Sequence, residues 1–259
     1  MDEEQMIVQT STSGKRLSLL SEIWAKRGFI LKALAVLVIF ALLQIGNQYA
    51  FVPYKVDSDL LIRAFSTGGA TLVGLSLLIG PLAVLYPKLN FVKYRRAVGV
   101  AGFVIILLHA SLIFSVRLGF STKFLLGNLN PFANGLFMGL LALLTLFPLF
   151  LTSADWATRK LGQQNWKNLH RLIYVSFLLI VLHALLMTQK NPERLYNPAG
   201  YLLILITLLA AILQLIAFVK RIRMGHSKPL ALYAGAFFII AYLAILGIFF
   251  FARNVLAGG

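Results

Sequence analysis

RRAVGVAGFVIILLHASLIFSVR, residues 95–117, decides the fold class. Between Arg96 and Arg117 run twenty residues without a formal charge. At about 1.5 Å rise per residue such a helix covers about 30 Å, the thickness of a bilayer's hydrocarbon core. The segment therefore reads as a transmembrane helix with a paired arginine at one end. The same reading carried outward finds apolar runs of spanning length at about 29–52, 65–86, 96–117, 134–153, 169–188, 198–219 and 229–252. The expected fold is an all-α membrane bundle of about seven helices.

Composition agrees. Of 259 residues 59% are hydrophobic and 12% charged, with a mean hydropathy of +0.85, more apolar side chain than a soluble core of this size could hide. The net charge of +16 would suggest nucleic acid in a soluble protein. Here the basic residues cluster between apolar runs, which is a topology signal, and nucleic acid is set aside. There is no cysteine, which excludes disulfides, thiolate metal sites, cysteine-ligated iron–sulfur clusters and covalent haem attachment through CxxCH. A redox cofactor would have to hang on histidine.

Lysine and arginine set the orientation. The polar segment 1–28, the loop YPKLNFVKYRR, the loop TSADWATRKLGQQNWK and the loop VKRIRMGHSKP hold roughly 17 of the 24, so these face the cytoplasm. The protein is expected in the cell (inner) membrane, with residues 1–28 as a cytoplasmic tail, residues 29–259 as the transmembrane domain, and the C-terminus outside after an extra span at 229–252. The first apolar run is long enough to span, so no cleavable signal is expected. The loops are too short for a nucleotide-binding domain of ~100 residues, so electrons, if this protein moves them, come from another molecule.

The chain has four histidines, and an imidazole deep in a lipid-embedded helix is a functional candidate by default. His109 lies 13 residues beyond Arg96, and His183 lies 13 beyond His170. Both therefore stand about 20 Å from the cytoplasmic surface, on two helices running the same way. Equal depth is what axial ligands of one haem require. The alternative is a pair of core imidazoles, each hydrogen-bonded to a hydroxyl or a backbone carbonyl. Gly102 and Ser176 stand seven residues before His109 and His183, two turns down the same face. Their small size would leave room for a porphyrin edge, or would serve helix contact.

His170 is about 140° around the helix from His183 and shares no stripe with it. It could bind a second haem with a weak or absent second ligand, contact propionates or a quinone, or sit at the interface. His226, in a basic loop, reads as solvated.

Three blocks, STGGATLVGLSLLIGPLA (66–83), RRAVGVAGFVIILLHASL (95–112) and LTSADWATRKLGQQNWKNLHRLIYVSFLLIVLH (151–183), carry a family resemblance. The third is the most specific, with TS, an RKLG loop, a Trp and LHRLxY leading to a second histidine. The chain resembles the ferric reductase-like transmembrane domain family, and within it the haem-binding membrane subunits of bacterial methionine-sulfoxide reductase systems. The likeness covers a core of about 65–219. It implies a helical bundle binding b-type haem through His109 and His183, with the histidine matching His170 also implicated, and hence one or two haems. It further implies electrons from quinol or a cytoplasmic flavoprotein, passed to an extracytoplasmic reductase subunit that can be a molybdenum-cofactor protein. The segment DSDLLIRAFSTGG lacks the histidine expected before the TG block, and the seventh span is an addition.

Haem propionates need cations or donors, and Arg95, Arg96, Lys160, Trp166 and Arg171 are available on the cytoplasmic side, where positive-inside topology alone would also place basic residues. Asp155 is expected to pair locally with that surface. Gly135 and Gly139 read as a helix-packing pair, and the apolar outer loop 117–134 as a docking or interfacial segment. Three functions compete. The first is an electron-transfer subunit for an extracytoplasmic reductase, the second a stand-alone membrane reductase of ferric iron or another small acceptor. The third is a haem-free transporter or scaffold, which would show broken helices or intramembrane charge pairs.

Overall fold

Why the chain folds as it does follows from where backbone polar groups can be satisfied in lipid. Only intra-segment hydrogen bonds are available there, so each apolar run becomes a helix. A computed structural model describes residues 28–51, 57–88, 91–127, 129–130, 134–188, 197–224 and 240. Among these, α1 covers Gly28–Phe51, α2 Ser58–Leu85 and α3 Val92–Leu112, which runs on into a π turn at Ile113–Arg117. The short α4 (Lys123–Leu126) leads to α5 (Gly135–Leu151). Two small helices, α6 (Asp155–Leu161) and α7 (Gln163–Leu169), precede α8 (Leu172–Thr188) and α9 (Pro198–Arg223).

Five helices are long and apolar enough to cross a membrane, and α5 with α6 makes a sixth span if that pair, bent by 87°, is counted as one. The six expected runs from 29–52 to 198–219 each coincide with one of these. Residues 1–27 of the tail, His226 and, apart from Ile240, the seventh run at 229–252 lie outside the described residues. Two expectations shift. The second span begins at Ser58 rather than near 65, because Asp57 caps it by accepting from the N–H groups of Asp59 and Leu60 at 3.0 and 3.1 Å. The expected connecting loop, residues 152–167, is largely helical, holding α6 and most of α7. They meet at Gly162, whose φ of +74° suits glycine alone.

Three helices start at the same end of the bundle, and each has a side-chain cap. Asp57 caps α2, Asn134 caps α5 by accepting from Leu136 and Phe137 N–H, and Asn197 caps α9 by accepting from Gly200 N–H. These oxygens satisfy N–H groups that the helices themselves leave orphaned.

The central element is α2, which packs against α3, α8 and α9, while α5 packs against α8. Lipid is as apolar as leucine, so close packing rather than the hydrophobic effect joins these helices. At the α2–α3 crossing two glycines let the backbones meet. A Cβ at Gly69 would fall 2.6 Å from Ile106, and one at Gly102 would fall 3.1 Å from Leu72 and from the backbone nitrogen of Val73. Phe103 stacks on Phe150 at 4.4 Å, tying α3 to α5, and Phe177 is fully buried in the same core. Polar contacts complete the joints. Thr67 donates to Gln44 across α2 and α1 at 3.1 Å, and Lys220 donates to the Val84 carbonyl at 3.0 Å, at the negative end of α2.

Candidate functional site

His109 stands near the end of α3 and His183 near the end of α8, and the fold brings their rings to 6.4 Å between centroids, tilted by 65°. Each ring is oriented by a backbone carbonyl. Nδ1 of His109 lies 3.0 Å from the Ile62 oxygen on α2, and Nδ1 of His183 lies 2.7 Å from the oxygen of Gly135, the first residue of α5. A carbonyl only accepts, so each Nδ1 carries the proton and donates, and each Nε2 keeps its lone pair. Neither Nε2 makes a hydrogen bond among the described residues. This is the tautomer a metal-binding histidine adopts when a carbonyl orients it.

The wall around His183 is built by glycine. A Cβ at Gly139 would lie 2.9 Å from Nδ1 and 3.0 Å from Cε1 of that ring, and one at Gly135 would lie 2.8 Å from Sδ of Met187. Gly135 and Gly139 pack α5 on α8, as their spacing predicts, and they also seat the imidazole. The sequence carried no signal for Ile62, since a backbone acceptor is not tied to a residue type.

Gly102 and Ser176 are both buried within the bundle. Gly102 is filled by α2, where a Cβ would meet Leu72 and Val73. Ser176 is fully buried with its hydroxyl donating to the Leu172 carbonyl at 3.0 Å. Gly102 is small because α2 and α3 approach there.

His170, at the junction of α7 and α8, lies in a different cluster. Its Nε2 is 3.1 Å from Oγ1 of Thr152, and that hydroxyl donates its own proton to the Pro148 carbonyl at 2.6 Å. The hydroxyl therefore accepts from His170, and Nε2 is the protonated nitrogen. Trp166 stacks on the imidazole at 4.0 Å and donates Nε1–H to the Thr152 carbonyl at 2.8 Å. Arg96 pairs with Asp155 and lies over the Phe29 ring at 4.4 Å. The expected local pairing of Asp155 is thus present. Arg171 is exposed, and so is Lys160. His170 is not brought to the His109–His183 pair, from which 13 residues of chain, about 20 Å of helix, separate it.

Among the described residues no three His, Asp or Glu side chains gather as a metal site. A metal held by His109 and His183 alone would have to bring its other ligands with it. An iron porphyrin would meet that requirement, with the two imidazoles as the protein's share of its ligands.

Comparison with known proteins follows the same line. Residues 67–181 match the family model described as the ferric reductase like transmembrane component. The protein-methionine-sulfoxide reductase heme-binding subunit MsrQ of Agrobacterium fabrum is 36% identical over 118 residues, 43% of this chain and 51% of that protein. MsrQ of Brucella anthropi is 30% identical over 128 residues (49% and 56%), and MsrQ of Brucella ovis 31% over 137 (52% and 59%). The chain spans about half the length of the curated relatives it matches. The resemblance seen in the three sequence blocks is therefore present, and the matched segment contains His109 and His170 and ends two residues before His183.

Proposed function

We propose that this multi-pass membrane protein binds one b-type haem between His109 and His183 and passes electrons across the membrane to an extracytoplasmic reductase subunit. The observation that carries the reading is the 6.4 Å between the two rings, both anchored through Nδ1. That spacing, with neither Nε2 hydrogen-bonded among the described residues, is what would let the two imidazoles hold a haem iron between them. The residues present fit the group.

Held by His109 and His183, haem would supply a one-electron carrier, and the two imidazoles would leave no place at the iron for oxygen or a substrate. The chain's own residues do the rest. Ile62 and Gly135 fix each ring in the tautomer that offers Nε2, and their carbonyls make each imidazole a stronger donor. Phe103, Phe150 and Phe177 keep the surrounding bundle apolar, and low polarity is one of the means by which a protein tunes a carrier's potential.

His170 lies at the opposite, predicted cytoplasmic end, with Nε2 taken by Thr152. We assign it, with Trp166, Arg96 and Arg171, to the entry side, where a quinol or a cytoplasmic flavoprotein delivers electrons. MsrQ relatives are named as subunits of a methionine-sulfoxide reductase system, which supports a reductase of that kind as the partner outside.

The test is electron transfer through proteoliposomes holding ferricyanide, with dithionite outside. The wild type reduces the trapped acceptor and His183→Ala does not. Equal rates in the two would remove electron transfer from the reading. Rapid reduction of a ferric chelate by the purified chain alone would instead favour a stand-alone reductase.

A further inference from the structure

The π turn after His109 has a geometric consequence. His109 and Arg117 are eight residues apart, and in an uninterrupted α-helix Arg117 would point about 80° away from His109. Residues Ile113–Arg117 instead form a π turn, with Leu118 N–H donating to the Ile113 carbonyl at 3.0 Å. A π turn holds more residues per turn than an α turn, so it rotates Arg117 back toward the His109 face. Both side chains then reach the first turns of α2. His109 donates to Ile62, and Arg117 pairs with Asp59 at 2.5 Å. Asp59 and Ile62 are three residues apart, neighbours on one face of α2.

We propose that the Arg117–Asp59 ion pair is a positioning device for His109: it locks the start of α2 against α3, so that the Ile62 carbonyl stays where it holds the imidazole. The inference rests on the haem reading. Arg117 and Asp59 do not touch the His109 ring; they act through Ile62. Their side chains are 49% and 32% exposed, and pairs that open to solvent add little to global stability. The effect is expected on the imidazole rather than on the melting temperature. Ile62 itself cannot be tested by side-chain replacement, because its contribution is a main-chain oxygen. The ion pair is the accessible handle on that contact, and π turns inserted into α-helices are often found beside functional groups.

The experiment uses the full chain purified with its haem. Haem-to-protein ratio, midpoint potential, the low-spin haem signal in electron paramagnetic resonance and the melting temperature are measured for Arg117→Ala, Asp59→Ala, the double alanine variant, Arg117→Lys and Asp59→Glu. Each single alanine variant shifts the potential and broadens the resonance signal while melting close to the wild type. The double variant is no worse than either single, since both remove one contact. The Lys and Glu variants, which keep the charges and guard against a misfolded alanine variant, recover most of the wild-type signal. Unchanged potential and signal in both alanine variants, or effects that add in the double, would overturn the proposal. A change in melting temperature alone would do the same. A wild-type protein without haem would overturn the haem reading itself, a different result from haem that is present and indifferent to Arg117.

Discussion

Gly139 and His183 touch so closely that no side chain fits at position 139: a Cβ there would stand 2.9 Å from Nδ1 of the imidazole. Real Cβ atoms do not approach that far, so the ring must yield if the glycine is replaced. Helix α5 is thus the wall that seats one axial ligand of the proposed haem, and its first turn supplies the carbonyl that orients it.

Gly139→Val is therefore expected to displace His183 and weaken haem retention by about 10-fold or more, the scale on which groups that orient a metal ligand act. Haem titration of the purified apoprotein measures it. Gly139→Val with wild-type haem affinity would mean that His183 needs no seat.

Gly102 makes a contrasting case. Its surroundings are Leu72 and Val73 of α2, so Gly102→Leu overpacks a helix crossing, at a cost of about 1–3 kcal/mol. Thermal unfolding in detergent should register that loss, while the folded fraction keeps its haem at the wild-type ratio. Haem loss from folded Gly102→Leu would return this residue to the haem edge.

Thr152 and His170 share a hydrogen bond at 3.1 Å. Thr152→Val and His170→Phe should each cost about 1 kcal/mol in unfolding, and the double variant should cost less than their sum because the contact is one and the same. Haem-to-protein ratio should stay unchanged in all three. A fall in that ratio by half in His170→Phe would make His170 an iron ligand and raise the count to two.

His109 and His183 are legible because depth in a bilayer can be counted from the sequence. Thirteen residues beyond Arg96 and thirteen beyond His170 put both at one level, and the rings do meet. The first six spans are legible for the same reason, save that α2 starts seven residues early. Asp59 and Arg63 depress the apolar count there, although Asp57 signals a cap. The supports are not legible. The oxygens of Ile62 and Gly135 belong to the main chain and leave no mark in residue type. The π turn at Ile113–Arg117 looks like any apolar helix in the sequence. Gly102 is ambiguous in the sequence because a small residue on the histidine face fits a cofactor edge and a helix crossing equally, and only tertiary packing bears on the choice.

The most direct test of haem ligation by the two histidines is the reduced-minus-oxidised absorption spectrum of the purified chain, with haem counted per protein, beside His109→Ala and His183→Ala. The predicted result is a six-coordinate b-type spectrum at about one haem per chain, lost in either variant, since the porphyrin leaves two axial positions to fill. A protein that folds with no haem despite ample supply, or one whose haem survives both substitutions, would contradict it.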